Sequence, residues 1–573
     1  MEARKAKINT IINNMTLLEI PFFQRSYVWN KDLWERFLED ISFVSKTKTS
    51  HFFGTIILKK AGTPPAPYNS HEIVVDGQQR LTTYIIFMKV LCLKKNQIPS
   101  FDLVFKSLEK KPSLQQGQND SQAFESVMNA DKVEHLSDPT NKSKVISAFN
   151  YFIDNIEEDK FDITNIYTFS DFVLIELEEN EDEQQIFDTI NSLGVDLTTS
   201  ELLKNYFFCR NTIPQYKQKW ASVFEKDDEA KSYWGEKYEL GRAKRAMIDI
   251  FFDSYFQIFI QDQQYNISNK DKIICSRVDT LAHSYKYFIN KYCNKNKNIV
   301  LDGLDAYAKC YRESFKNNDC SQTVSNSNSM ERMNIIIFGM KNSTLIPYIL
   351  YVNKNVKSKE EREKIYGILE SYIMRRIVVH ATNKNYNNFI NSFISNKINT
   401  AIELEKKLEE APRSDISKYF PTDDDLKDGF LHSKLPNLQS KGILYLLESA
   451  IRPAKSSTSL MGFKNYSLEH LMPKKWRNNW SACKTKELET KRDSTLLTLG
   501  NLTIITQSLN ASIRDASWNT KLEGKKSQVG LKVCAAGLST MTDVLSRPNW
   551  TEQDIYDRGE WLYQKAIKVW KRG

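Results

Sequence analysis

His470 stands in the string Ser467-Leu468-Glu469-His470-Leu471-Met472-Pro473, and Gly500, Asn501 and Asn510 follow after a gap. An imidazole, a carboxylate and an amide oxygen are groups that phosphodiester hydrolysis calls for. A base must deprotonate water, and a divalent cation held by hard oxygen donors must offset the charge that develops on the phosphate. His470 is the candidate base. Glu469 and Asn510 are candidate ligands for Mg2+, which accepts such oxygens while keeping several waters. Any one of these residues alone reads more simply as a strand-end histidine or a turn-forming asparagine. Their coincidence in one short region is what favours a site.

The elements that must position these residues are a pair of strands and a helix. Tyr466 to Leu471 reads as a strand ended by Pro473, and Leu502 to Thr506 as a second, β-branched strand. Ser508 is the expected N-cap of a helix running through Asn510, Ile513 and Trp518 toward Lys521, with Asn510 in its first turn. In residues and order this ββα unit resembles the HNH, or ββα-metal, nucleases. The resemblance implies Glu469 as the acidic metal ligand and His470 as the general base. It makes Asn501 the asparagine that braces the loop, and it puts Asn510, as metal-binding residue, where the family's second histidine stands. His470, Asn501 and Asn510 are thus the catalytic set and Glu469 with Asn510 the metal set.

A second constellation lies near the other end. Ile73 to Asp76 reads as a buried strand, Asp76-Gly77 as a turn, and Gln78 onward as a helix through Ile85, Ile86, Met88 and Leu93. Gly77 permits a tight turn and a close backbone approach. Gln78, Gln79 and Arg80 fall where free N–H groups and the positive dipole end favour phosphate, and Arg80 adds a two-pronged guanidinium. The same residues also suit a plain N-capped turn with a solvated arginine. Around them lie Pro21 to Trp29 (with Gln24 and Arg25), His51 to Leu58, and Phe187 to Leu197. This series resembles the ParB/sulfiredoxin-like N-terminal domain of the GmrSD family of type IV restriction endonucleases, whose second signature is the HNH-like module. The resemblance implies nucleotide binding and hydrolysis at Asp76, Gly77, Gln78, Gln79 and Arg80, with Gln24 and Arg25 beside them.

The expected architecture is α+β and multidomain. It comprises a ParB/sulfiredoxin-like α/β domain over 1–215, a mostly α-helical connector over 216–450, and an HNH-like ββα-metal module embedded in helices over 451–573. In the connector, Leu369, Tyr372 and Ile373 read as core and Arg375 and Arg376 as surface. The acidic run Glu176 to Glu183 reads as a solvated helix start. Thr63 to Pro67 reads as a loop between strands, and Lys455 to Ser459 as a linker.

With 573 residues and 41% hydrophobic content the chain has material for several cores. It has no run of eighteen apolar residues, and Met1 to Lys5 lacks the apolar stretch of a signal peptide, so a cytoplasmic location is expected. The eight cysteines form no Cys-x-x-Cys pair, which argues against a zinc knuckle and for reduced, buried thiols. Residues 452–573 hold 21 Lys and Arg against 11 Asp and Glu, in a chain whose net charge is +9. A cationic surface around a phosphodiesterase site favours nucleic acid through counterion release. Lys474, Lys475, Arg477 and Lys521 are the candidate contacts, with Trp476 and Trp480 interleaved.

The residues lead to a DNA endonuclease dependent on Mg2+ or another divalent cation, and the family resemblance implies nucleotide regulation and restriction of modified phage DNA, the NTP's identity being open. One ββα site cuts one strand per encounter, so a double-strand break needs a homodimer or two successive nicks. Two rivals stay open. One is a nucleotide-gated DNA-binding regulator without catalysis, which Asn510 in place of a histidine supports. The other is an RNA-cleaving toxin.

Overall fold

The computed structural model describes residues 2–572 apart from 23, 118, 140–141, 179–197, 209–211, 241–242, 326–327, 383, 385, 454–458 and 526–527. The Phe187 to Leu197 motif, most of the acidic run and all but the last residue of the Lys455 to Ser459 linker fall outside the described residues. Contacts divide the chain into two units, Met1–Ala221 and Ser222–Gly573. The expected helical segment and the expected nuclease segment therefore lie in the same unit.

The first unit is built on a six-stranded mixed sheet. Its strands are β1 (Glu2–Lys7), β2 (Thr16–Glu19), β3 (His51–Lys60), β4 (Ser70–Asp76), β5 (Leu114–Gln115) and β6 (Ser170–Leu177), in the spatial order β1-β6-β3-β4-β2-β5. β3 pairs antiparallel with β4 and parallel with β6, while β2 runs parallel to β4 and β5. Glu176, expected to open a helix, instead lies in β6 and pairs with Arg4 at 3.0 Å. Glu176 follows the largely buried, apolar run Phe172 to Ile175, and the burial of that strand in the sheet outweighs the helical preference of a Glu-rich string.

Three helices cover the sheet's apolar side chains: α1 (Lys31–Thr47), α2 (Gln78–Lys94) and α3 (Lys144–Asn155). Asn30 caps α1, its side chain accepting from the Leu33 amide. α2 is buried almost all round, as a helix wedged between a sheet and other helices must be. The rings of Phe37, Phe87 and Phe152 meet edge to face at 5.7 and 5.8 Å between them.

The second unit is helical apart from short strand pairs. α4 (Met247–Gln261), α5 (Lys359–Val378) and α6 (Asn437–Ile451) run through its core, and α9, the long helix Glu552–Val569, packs against α6. Arg332 links these layers. Its guanidinium donates to Glu370 on α5 at 2.8 and 2.5 Å and to Ser449 on α6 at 2.5 Å, and Trp570 donates to the same Glu370 at 2.8 Å. Arg375 and Arg376, expected on the surface, are buried. Arg375 donates to the carbonyls of Trp570 and Pro421 and to Asp423, and Arg376 to the carbonyls of Tyr419 and Thr382. A guanidinium with five donors can be buried where chain carbonyls take them up, a condition that sequence spacing does not reveal.

Between α6 and α9 lies the region of His470. β7 (Tyr466–His470) and β8 (Leu502–Thr506) pair antiparallel, with His470 opposite Leu502 and Glu469 opposite Thr503. α7 (Gln507–Ile513) follows and packs on both strands. Thr506, not Ser508, is the N-cap, its Oγ1 accepting from the Leu509 amide. The helix stops at Ile513 because Arg514 takes φ +32°, and a separate short helix, α8 (Trp518–Glu523), carries Lys521. Gly500 lies against α9 so closely that a Cβ would be 2.0 Å from the Ile555 carbonyl oxygen and 3.1 Å from the Gly559 nitrogen. Gly500→Ala is expected to destabilise the unit by about 1–3 kcal/mol through this overpacking. The check is the denaturant midpoint by tryptophan fluorescence, and an unshifted midpoint would refute the contact.

Candidate functional site

Asn501 lies at the start of β8 and is fully buried. Its Oδ1 accepts from the Met472 amide at 2.8 Å and from Trp550 Nε1 at 3.1 Å, and its Nδ2 donates to the carbonyls of Met472 at 2.8 Å and Leu496 at 3.0 Å. The Leu471 amide donates to the Asn501 carbonyl at 2.9 Å. One side chain thereby fixes the turn that follows His470. Arg558 on α9 holds the same strand from behind, donating to the carbonyls of Gly500 at 2.8 Å and Leu502 at 2.7 Å. With its amide saturated by main chain and an indole, Asn501 is a positioning residue that braces the loop.

Strand alternation puts Ser467 and Glu469 on one face of β7 and Tyr466, Leu468 and His470 on the other. Asn510 lies on the first of these faces, its Nδ2 donating to Ser467 Oγ at 3.0 Å and to the Leu468 carbonyl at 2.9 Å. Its Oδ1 is the amide atom left for a ligand. Glu469 is buried and ion-paired with Lys521, whose Nζ also donates to the His470 carbonyl at 2.7 Å. Lys521 is 0% exposed, so it cannot grip a phosphate from solvent, and its expected nucleic-acid role is corrected.

The two expected metal ligands, Glu469 and Asn510, therefore do not form an open donor set. The Glu469 carboxylate already has a cation, an ammonium, and among the described residues no group of three His, Cys, Asp or Glu side chains could hold a metal ion. The residues present do not fit a preformed divalent site with Glu469 as ligand.

His470 is half-buried and its ring has no hydrogen-bond partner among the described residues. Burial, aided by the positive charges of Lys474 and Lys521, pushes its pKa down to about 4. The imidazole is neutral at physiological pH and able to accept a proton. Lys474 and Lys475 are exposed and have no ion pair among the described residues. Arg477, by contrast, pairs with Glu489 and Asp493 at 3.0 Å each and stacks on Trp476, which Arg492 also contacts. Arg477 thus braces the buried Trp476 instead of presenting a free charge to nucleic acid, a correction that follows from two acids on a helix not adjacent in sequence.

In the first unit, Gly77 caps α2 with φ +100°, and no side chain caps the helix's first amides. Gly54, φ +113°, lies beneath the Arg80 side chain, where a Cβ would be 2.7 Å from Nε. Arg80 donates to the Thr55 carbonyl at 3.0 Å and reaches Asp76 at 3.5 Å. The three glutamines are engaged with main chain. Gln24 donates to the Val74 carbonyl at 2.7 Å and Gln78 to the Arg25 carbonyl at 3.0 Å, while Gln79 donates to the Ser26 carbonyl and accepts from the Val28 amide. They brace the Pro21 to Trp29 segment through these bonds. Asp76 is paired with Arg80, and the Arg25 side chain has no ion pair among the described residues. Sequence reading missed Asp120 and Tyr27. Tyr27 donates its amide to Asp120 at 2.6 Å and shares a hydrogen bond of 2.6 Å with Thr83.

Two family models match. "GmrSD restriction endonuclease, N-terminal domain" covers residues 8–208, and "GmrSD restriction endonucleases, C-terminal domain" covers residues 420–565. The chain belongs to the GmrSD restriction endonuclease family. Membership makes it a nuclease with DNA as partner. Comparison with curated proteins gives no match. The N-terminal GmrSD match spans the sheet apart from β1, and the C-terminal match spans β7, β8, α7 and most of α9. Among the described residues no helix is long and apolar enough to cross a membrane, and the described cysteines are all free.

Burial raises the Asp120 pKa to about 6. The unfolded carboxyl releases its proton near 4, so between these values the folded state binds more protons and stability falls as pH rises. Asp120→Asn, which keeps an acceptor for Tyr27, is expected to raise the melting temperature at pH 7 and leave it unchanged near pH 4. Equal melting of both proteins at pH 7 would show that Asp120 carries no such penalty.

Proposed function

We propose that this GmrSD-family chain nicks or cleaves phage DNA with His470 as general base in a ββα module of the HNH kind, under control of a nucleotide bound by the ParB/sulfiredoxin-like first unit. The observation that carries the reading is an imidazole at the end of β7 without a hydrogen-bond partner among the described residues, held by Asn501 and Lys521 through main chain, next to the exposed Lys474 and Lys475. A neutral imidazole takes the proton of an attacking water. The lysines attract the polyanion. Mg2+ dependence belongs to this reading, but no step here runs through the metal, because Glu469 is already paired.

His470→Ala is expected to lower nicking of plasmid DNA by roughly 10²- to 10⁴-fold, the usual worth of a positioned base. Equal cleavage by both proteins, assayed in Mg2+ and in EDTA, removes His470 from the mechanism. Gel shifts without nicking would favour the regulator reading, and preferential cleavage of matched RNA the toxin reading. Plaque counts with phages of differing DNA chemistry test restriction of modified DNA.

For the nucleotide, the first amides of α2, uncapped by any side chain among the described residues, suit phosphate, and Arg80 in the first turn supplies a cation. A bound NTP would give these groups a polyphosphate to order. Arg80→Ala is expected to weaken NTP binding roughly ten- to a hundredfold, the worth of a charged hydrogen bond of about 1.5–3 kcal/mol. Calorimetric titration with each of the four NTPs checks this, and unchanged affinity refutes it.

A further inference from the structure

Glu469 and Lys521 lie 52 positions apart and meet in the protein's interior, both nearly or wholly removed from solvent. Burying two charges is not an efficient source of stability, because desolvation offsets much of their attraction. Burial disfavours charge on each partner, raising the Glu469 pKa and lowering that of Lys521. What the pair does supply is direction. One of the ammonium's three donors goes to Glu469 and another to the His470 carbonyl oxygen, the main-chain atom of the candidate base itself. Thr503, opposite Glu469 on β8, has a buried hydroxyl without a partner among the described residues, so it does not bond to the pair.

We propose that Lys521 is a positioning residue for DNA cleavage, fixing the main chain at His470, and that Glu469 is its counter-ion instead of a ligand for a divalent metal. The proposal rests on the nuclease reading for its first half and on the geometry alone for its second.

The test uses full-length wild type, Glu469→Gln, Lys521→Met and the double variant. If Glu469 serves Lys521, Glu469→Gln binds Mn2+, followed by electron paramagnetic resonance, as wild type does. Each single variant lowers kcat for plasmid nicking roughly ten- to a hundredfold, as small misplacements of a reacting group do, while KM and the half-saturating Mg2+ concentration stay within about twofold of wild type. The double variant melts closer to wild type than either single variant, because it leaves no uncompensated buried charge. A tenfold or larger loss of Mn2+ affinity in Glu469→Gln, or recovery of its cleavage by added Mg2+, overturns the counter-ion assignment. Wild-type kcat in Lys521→Met overturns the positioning role. A wild-type chain that cuts no DNA overturns the nuclease reading and the positioning role with it. The melting comparison still decides the counter-ion assignment, since additive losses in the double variant would refute it.

Discussion

Protein atoms meet all four hydrogen-bonding positions of the Asn501 amide: two donors go to carbonyls, and its oxygen takes an amide and an indole N–H. The turn after His470, the start of β8 and the Trp550 side chain are thereby tied to one point. Losing one partner inside such a buried network leaves an orphan group at a penalty of about 1–3 kcal/mol, larger than the roughly 1 kcal/mol a typical bond contributes. That asymmetry makes the turn well defined. Arg558 and the close approach of Gly500 to α9 then fix where the strand carrying Asn501 can lie.

Buried cations recur in this unit as fasteners for main chain. Arg332 joins α5 to α6 through Glu370 and Ser449, Arg375 and Arg376 take up carbonyls around the end of α5, and Lys521 does the same for His470. A long side chain with several fixed donors can satisfy carbonyls that no regular structure reaches. The basic excess of residues 452–573 is therefore not all surface charge. Lys521 and Arg558 are internal, Arg477 is neutralised by two acids, and Lys474 and Lys475 remain exposed.

The first unit uses amides for a comparable purpose. Gln24, Gln78 and Gln79 hold the segment before α1 against β4 and the first turn of α2, with Tyr27 anchored to Asp120 and Thr83. Glycine is needed at 54 and 77, where positive φ and close neighbours exclude a Cβ. The result is a helix start whose amides are left uncapped, with Arg80 laid over Gly54.

Local pattern determined much of the frame. The strand over Ile73 to Asp76, the helix after Gly77, both strands of the β7–β8 pair and Asn510 in the first turn of α7 are set by alternation, β-branching and turn residues, which act over a few positions. The break at Arg514 and the cap at Thr506 were not legible, because a single backbone angle and a choice among neighbouring hydroxyls decide them. Nothing in the mixed string Trp518 to Leu522 marked Lys521 as internal. Only the tertiary structure decided that its charge belongs to Glu469, which groups Asn501 braces, and that Arg375 and Arg376 are core. Partners of buried polar groups come from distant segments, and desolvation makes their pairing obligatory, whereas one-dimensional spacing records only which residues are available.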